Sequence, residues 1–307
     1  MKHLFLTAPR ALALLLLGMI LAAKGHAQQP TEFLSLNYYY LPQSDFKDMD
    51  GKATVNNFEA SLLTPAIKLG KRTTLINGFY YRLSDYHFEE LSTDWNGLPT
   101  QLHDIRYSLI IRQQLSRRWT LVVTPRVNAR GNFKESLSGD DLFPGATVMA
   151  LHSTQGRLRW GIGATYNNDF NHNTFMPVAG LYYATERMRL NITLPNNGQL
   201  IFTPSKKLEY GLSFNIEPGI YHLGDMTINK NAVRYLRTLN ALVSPTLSYN
   251  LAGSCWLNAR AGYVLIRNYD LWDENYEARQ KNMENNFDPA PFASVGLSIR
   301  LNNRPVK

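Results

Sequence analysis

Cysteine occurs once in the 307 residues, at Cys255, so no intramolecular disulfide can staple this chain. A lone cysteine on a packed or lipid-facing strand behaves as a small apolar residue. Long apolar runs are missing too. Beyond residue 27 no stretch approaches the roughly 18 residues of a membrane-spanning helix. Mean hydropathy is −0.28, and a helical membrane protein is excluded. The formal charge is +8, yet its arginines are scattered singly and no basic tract tracks a phosphate backbone, which argues against nucleic acid. No Ser, His and acid spacing encodes a nucleophile with its base. Cofactor signatures are equally absent.

What is present begins with a leader. Lys2, His3 and Arg10 precede an apolar stretch from Ala11 to Ala23, and Gly25-His26-Ala27 supplies small residues for cleavage. Residues 1–27 are therefore expected to be a cleaved signal peptide, leaving 28–307 as one domain. The charge falls from +8 to +5 once Lys2, Arg10 and Lys24 are gone.

The remaining chain holds most of the 17 Tyr, 14 Phe and 5 Trp, a strand-favouring mix. Its segments of about ten residues alternate apolar and polar side chains. In 119–130, Trp119, Leu121, Val123, Val127 and Ala129 alternate with Thr120, Thr124, Arg126, Asn128 and Arg130. Only a strand places these sets on opposite faces. The same alternation recurs at 33–41, 55–69, 73–87, 105–114, 158–168, 208–217, 238–249, 257–265 and 293–301.

Short polar turns, such as Gly70-Lys71-Arg72, Ser116-Arg117-Arg118 and Ser205-Lys206-Lys207, alternate with long connections at 42–53, 88–101, 131–143, 223–237 and 270–289. A soluble sandwich has no reason for that asymmetry. The expected fold is all-β, a transmembrane antiparallel up-and-down barrel with short periplasmic turns and longer extracellular loops. About 14 strands are expected if the two pieces within 187–204 span, and about 12 if they do not. Aromatics near segment ends (Tyr38-Tyr39-Tyr40, Tyr80-Tyr81, Trp119, Trp160, Tyr182-Tyr183, Trp256 and Tyr263) suit interface girdles.

The last strand, Ser294 to Leu301, resembles the C-terminal signal read by barrel-assembly machinery, although it ends in Leu301 instead of an aromatic and is followed by Asn302 to Lys307. Ser-Leu-Asn-Tyr-Tyr-Tyr at 35–40, Leu-Asn-Ile-Thr-Leu-Pro at 190–195 and the glycine-containing last strand resemble a family of outer-membrane β-barrels catalogued as a domain of unknown function, the DUF6268 type. The resemblance implies fold and location over nearly the whole mature chain. It brings no active-site residues.

By parity, Arg82, Arg106, Arg112, Arg126, Arg130, Arg159, Arg189, Arg260 and Arg300 point into the lumen with Glu59, Glu209 and Glu217. An Arg on the lipid face near the midplane would cost about 2–4 kcal/mol. Such a lumen either favours anions or is filled by a structural network of Arg with Glu and Tyr. His87, His103, His152 and His172 are the available bases for an enzyme, and Asp45, Asp48 and Asp50 the available calcium ligands, although solvated loop side chains explain both sets. Three functions remain: a narrow pore or surface structural protein passing a small solute or anion, an enzyme acting on envelope lipid, and a binding platform made of the long loops. Membrane lipid, lipopolysaccharide and barrel-assembly machinery are the expected partners.

Overall fold

The computed structural model describes residues 31–301 apart from 48, 96, 135, 155–157, 168–172 and 279–283. The leader, Asp48 and His172 lie outside these residues. Sixteen strand segments run β1 Thr31–Asp45, β2 Lys52–Leu63, β3 Ile67–Leu69, β4 Thr73–Glu89, β5 Gln101–Gln114, β6 Trp119–Gly131, β7 Leu142–Ser153, β8 Leu158–Asn167, β9 Thr174–Ala184, β10 Met188–Leu194, β11 Asn197–Ser205, β12 Leu208–Ile228, β13 Asn231–Ala252, β14 Cys255–Trp272, β15 Glu284–Asn286 and β16 Ala290–Leu301.

Each strand pairs antiparallel with its neighbour, and β16 joins β14 to β1, so the sheet closes on itself. The short β3 continues β2 along β4, and β15 continues β16 along β14. Sixteen segments thus make fourteen staves. The pieces within 187–204 both pair with full neighbours, as β10 and β11, which decides the count between 12 and 14.

The two faces are inverted relative to a soluble protein. Outward residues such as Leu36, Phe58, Ile105, Ile162, Leu212 and Val243 are exposed, whereas inward Glu59, Asp104, Arg130, Glu209 and Arg300 are buried. A closed sheet with an apolar exterior and no open edge satisfies its backbone in hydrocarbon, and this is a transmembrane barrel. Tyr38-Tyr39-Tyr40 displays the alternation compactly: Tyr38 and Tyr40 are exposed to lipid and Tyr39 is buried in the lumen.

The close approach of adjacent strands needs glycine at several positions, Gly211 among them. A Cβ on Gly211 would fall 1.9 Å from the Leu200 carbonyl oxygen of the adjacent strand. Gly211→Val should therefore lower the urea midpoint by an amount equivalent to about 1–3 kcal/mol. An unchanged midpoint would mean that the strands part freely at this point.

Two features depart from the sequence pattern. The stretch 223–237, expected as a long loop, is strand: β12 and β13 continue far beyond their neighbours and meet at a tight turn, with Asn229 at φ 49° and Lys230 at φ 61°. This left-handed pair is the geometry that joins twisted strands. The second feature is a bulge in β14. Ala241 pairs with Ile266 but Leu242 with Val264, leaving Leu265 extra. Leu265 and Ile266 both face outward, and Arg267, Tyr269 and Leu271 then turn inward. One inserted residue re-aims everything after it.

The long β12–β13 hairpin leans across the barrel. His222 of β12 forms a parallel bridge with Gly131 of β6, bypassing β7–β11. Above the fourteen-stave ring, nine staves therefore surround an apolar plug. Leu223, Ile228, Val233 and Leu236 from the hairpin pack there with Phe46, Trp95, Leu98, Tyr269 and Phe287. Phe46 and Phe287 lie with ring centroids 4.0 Å apart, and Tyr269 donates its hydroxyl to the Pro99 carbonyl at 3.1 Å.

Candidate functional site

Below the plug the lumen is polar, and its charges are organised at two levels. Near the short-turn end, Arg189 of β10 forms a two-pronged pair with Glu209 of β12, both bonds 2.8 Å. Arg300 of β16 adds a third bond to the same carboxylate at 2.8 Å and reaches Glu32 at 3.0 Å and Asn258 at 2.8 Å. The planar guanidinium fork suits this sharing, because one carboxylate accepts from two directions at once. Around them lies a cavity of about 310 Å³, lined by Asn37, Asn191, Gln199, Ser248 and Arg260 among others.

At mid-height, Arg82 of β4 joins two carboxylates. Its Nε donates to Glu59 at 2.7 Å and its Nη2 to Glu217 at 2.9 Å, with Tyr80 donating to Glu59 at 3.0 Å. Beside it Asp104 takes Arg106 and Arg130, each at 3.1 Å, and Arg106 also donates to Asn128 at 2.7 Å. Cross-strand register explains the clustering: Glu59 pairs with Arg82, Arg82 with Asp104, and Asp104 with Arg130, so four charges of alternating sign share one inward row.

The other arginines are held differently. Arg260 donates to Tyr39 at 2.5 Å, and Arg126 to Thr147 at 3.4 Å. Arg159 lies 5.7 Å from the Tyr182 ring centre. Arg112 lies on the inward parity of β5 near the short-turn end, with an exposed side chain.

Several rings expected in a girdle sit inside instead. Tyr39, Tyr80, Tyr182 and Trp256 carry Arg260, Arg106, Arg159 and Arg300 over their faces. Cation–π contact outside bulk water is worth about 1–2 kcal/mol each, which explains rings in a polar lumen. Their inward parity is visible in the sequence, but the pairing needs the register.

Among the described residues, His87, His103 and His152 do not meet as a catalytic group. His87 is exposed beside an outer-loop cavity of about 480 Å³, His103 contacts the Tyr81 hydroxyl at 3.1 Å, and His152 packs against Trp119 and Trp160. Sequence reasoning missed His222. Its Nδ1 lies 2.9 Å from Asp141, whose other oxygen accepts from the Ser138 backbone at 2.6 Å and hydroxyl at 3.1 Å. Serine, acid and imidazole meet here in the wrong order, since the hydroxyl donates to the carboxylate and the imidazole does not touch it. The trio is a brace between the hairpin and the β6–β7 connection. Arg234–Asp140 at 2.8 Å and Asn132 to the Leu223 carbonyl at 3.1 Å reinforce it. Among the described residues no three His, Cys, Asp or Glu side chains converge as metal ligands.

A family description covering residues 23–300, "Domain of unknown function (DUF6268)", matches this barrel. The chain belongs to the DUF6268 family. No curated protein matches it. Among solved structures, this DUF6268 barrel is similar to the COG4313 outer membrane channel from Pseudomonas putida F1, at 14% identity and a TM-score of 0.44 over 91% of this chain and 98% of that one. It is also similar to the NanC porin, at 8% identity and 0.39 over 87% and 100%. Outer membrane phospholipase A from Escherichia coli gives 9% identity and 0.34 over 90% and 99%.

Proposed function

We propose that this DUF6268 barrel is a narrow outer-membrane pore that favours small anions, with its short turns in the periplasm and its plugged end facing outward. The observation that carries this reading is the charge of the lumen. Among the described residues, Arg82, Arg106, Arg112, Arg126, Arg130, Arg159, Arg189, Arg260 and Arg300 line the spanning wall with Glu32, Glu59, Asp104, Glu209 and Glu217. The five carboxylates offset only part of the charge of the nine arginines. In a confined, low-dielectric passage the remainder lowers the energy of anions and raises that of cations. The leader supports export, and the apolar exterior supports a membrane destination.

The proposed route follows the β5–β9 side, where the bridge from His222 to Gly131 leaves β7–β11 outside the plugged circuit. Arg112, Arg126 and Arg159 stand along it on β5, β6 and β8, and Gly161 and Gly163 of β8 leave part of the same wall without side chains. In planar bilayers the purified protein should give small, discrete, anion-selective steps. Arg112→Ala with Arg126→Ala should reduce the anion-to-cation permeability ratio severalfold. A silent or cation-selective barrel would overturn the reading and leave the arginines as packing.

A further inference from the structure

The short-turn rim is charged as strongly as the lumen and has no counterpart in the pore. Lys71-Arg72, Arg117-Arg118, Arg187 and Lys206-Lys207 occupy four of its connections, and all seven are solvent-exposed. Among the described residues of these turns, Glu186 is the one acid. The opposite end is mixed and acid-rich, with Asp50, Glu89, Glu90, Asp140, Asp225 and Asp288 exposed. The asymmetry is a property of the whole molecule and points outward from it.

A second observation sets the depth of this rim. Directly above Arg117-Arg118, Trp119, His152 and Trp160 form one outward cluster, with ring centroids 4.8, 5.4 and 5.8 Å apart. Both indoles are 37% exposed although no aqueous function needs them there. Amphipathic rings of this kind sit at the boundary between hydrocarbon and headgroups. The backbone then fixes the basic turn just beyond them: the Ser153 amide donates to the Arg118 carbonyl at 2.8 Å, and the Trp119 amide donates to the Ser116 hydroxyl at 3.1 Å. The Arg117-Arg118 turn is thereby fixed just beyond the indoles, on the headgroup side of an aromatic belt.

From these two observations we infer that the short-turn rim is a binding surface for anionic phospholipid headgroups of the adjoining leaflet. Seven cations on this rim gather lipids with a net negative headgroup in preference to zwitterionic ones, whose ammonium offsets the phosphate. Assigning the leaflet to the periplasmic side rests on the proposed location; the lipid preference does not.

The test uses the whole barrel in phosphatidylcholine vesicles containing tail-brominated lipid, with quenching of tryptophan fluorescence as the readout. Brominated phosphatidylglycerol should displace phosphatidylcholine from the indoles with a relative binding constant about threefold or more above unity at low salt. The preference should collapse at high salt, where surface charges are screened. It should also collapse in a Lys71→Gln, Arg72→Gln, Arg117→Gln, Arg118→Gln variant. Equal quenching by both lipids in the wild type, or a preference that survives salt, would overturn the inference without any variant having to fold. A barrel that is silent in bilayers yet prefers phosphatidylglycerol would remove the pore and leave the lipid surface standing.

Discussion

Replacing Arg82 by methionine should destabilise the barrel by about 3–5 kcal/mol, the usual cost of stripping one partner from a buried ionic group. Among the described residues Arg82 is the cation ion-paired to both Glu59 and Glu217, so both carboxylates lose their main partner at once. The side chains are at most 21% exposed, so water screens little of the loss. Urea unfolding in vesicles measures it. The triple variant Arg82→Met, Glu59→Gln, Glu217→Gln should recover most of the stability, because it removes the charges together. If Arg82→Met alone matched the wild type, the row of alternating charges would be incidental to the fold.

The second large effect concerns the hairpin across the mouth. Burial works to raise the Asp141 carboxyl, but the Ser138 amide and hydroxyl and the His222 imidazole outweigh it and hold the group below the ordinary carboxylate range. A depressed carboxylate stabilises the folded arrangement above its unfolded pKa, and that stabilisation is lost as pH falls through the folded one. Acidification into the range below ordinary carboxylates should therefore release the hairpin. Asp141→Asn should release it at neutral pH. If the protein is a pore, conductance should rise severalfold in both cases, and amide exchange of residues 220–236 should quicken. Unchanged exchange in Asp141→Asn would show that the apolar plug alone holds the hairpin down.

Much of this was legible because a barrel wall has a period of two. Parity alone separates Arg126, Asn128 and Arg130 from Val127 and Ala129, and the structure puts them on opposite faces. Partners were another matter. Glu59 and Glu217 lie far apart in sequence and meet only through Arg82, because stave order and register, not spacing, bring them together. Parity also misleads wherever a strand slips. Leu265 resets the phase of β14, and nothing in Leu265-Ile266-Arg267 announces that Arg267 and Tyr269 will turn inward. The hairpin at 223–237 was hidden for a compositional reason. Gly224, Asp225, Asn229, Lys230 and Asn231 read as loop, yet pairing over β13 and packing against the plug override local preference. Asp104 shares the inward parity of Arg106, and only the fold brings Arg106 and Arg130 together on it.

The bridge between His222 and Gly131 divides one sheet into two circuits, a long one of fourteen staves and a short one of nine that skips β7–β11. Gauge and stopper are thereby separate parts. A hairpin added to or removed from the skipped sector would change the bore of the tube and leave the stopper seated, and new loops on the stopper would leave the bore alone.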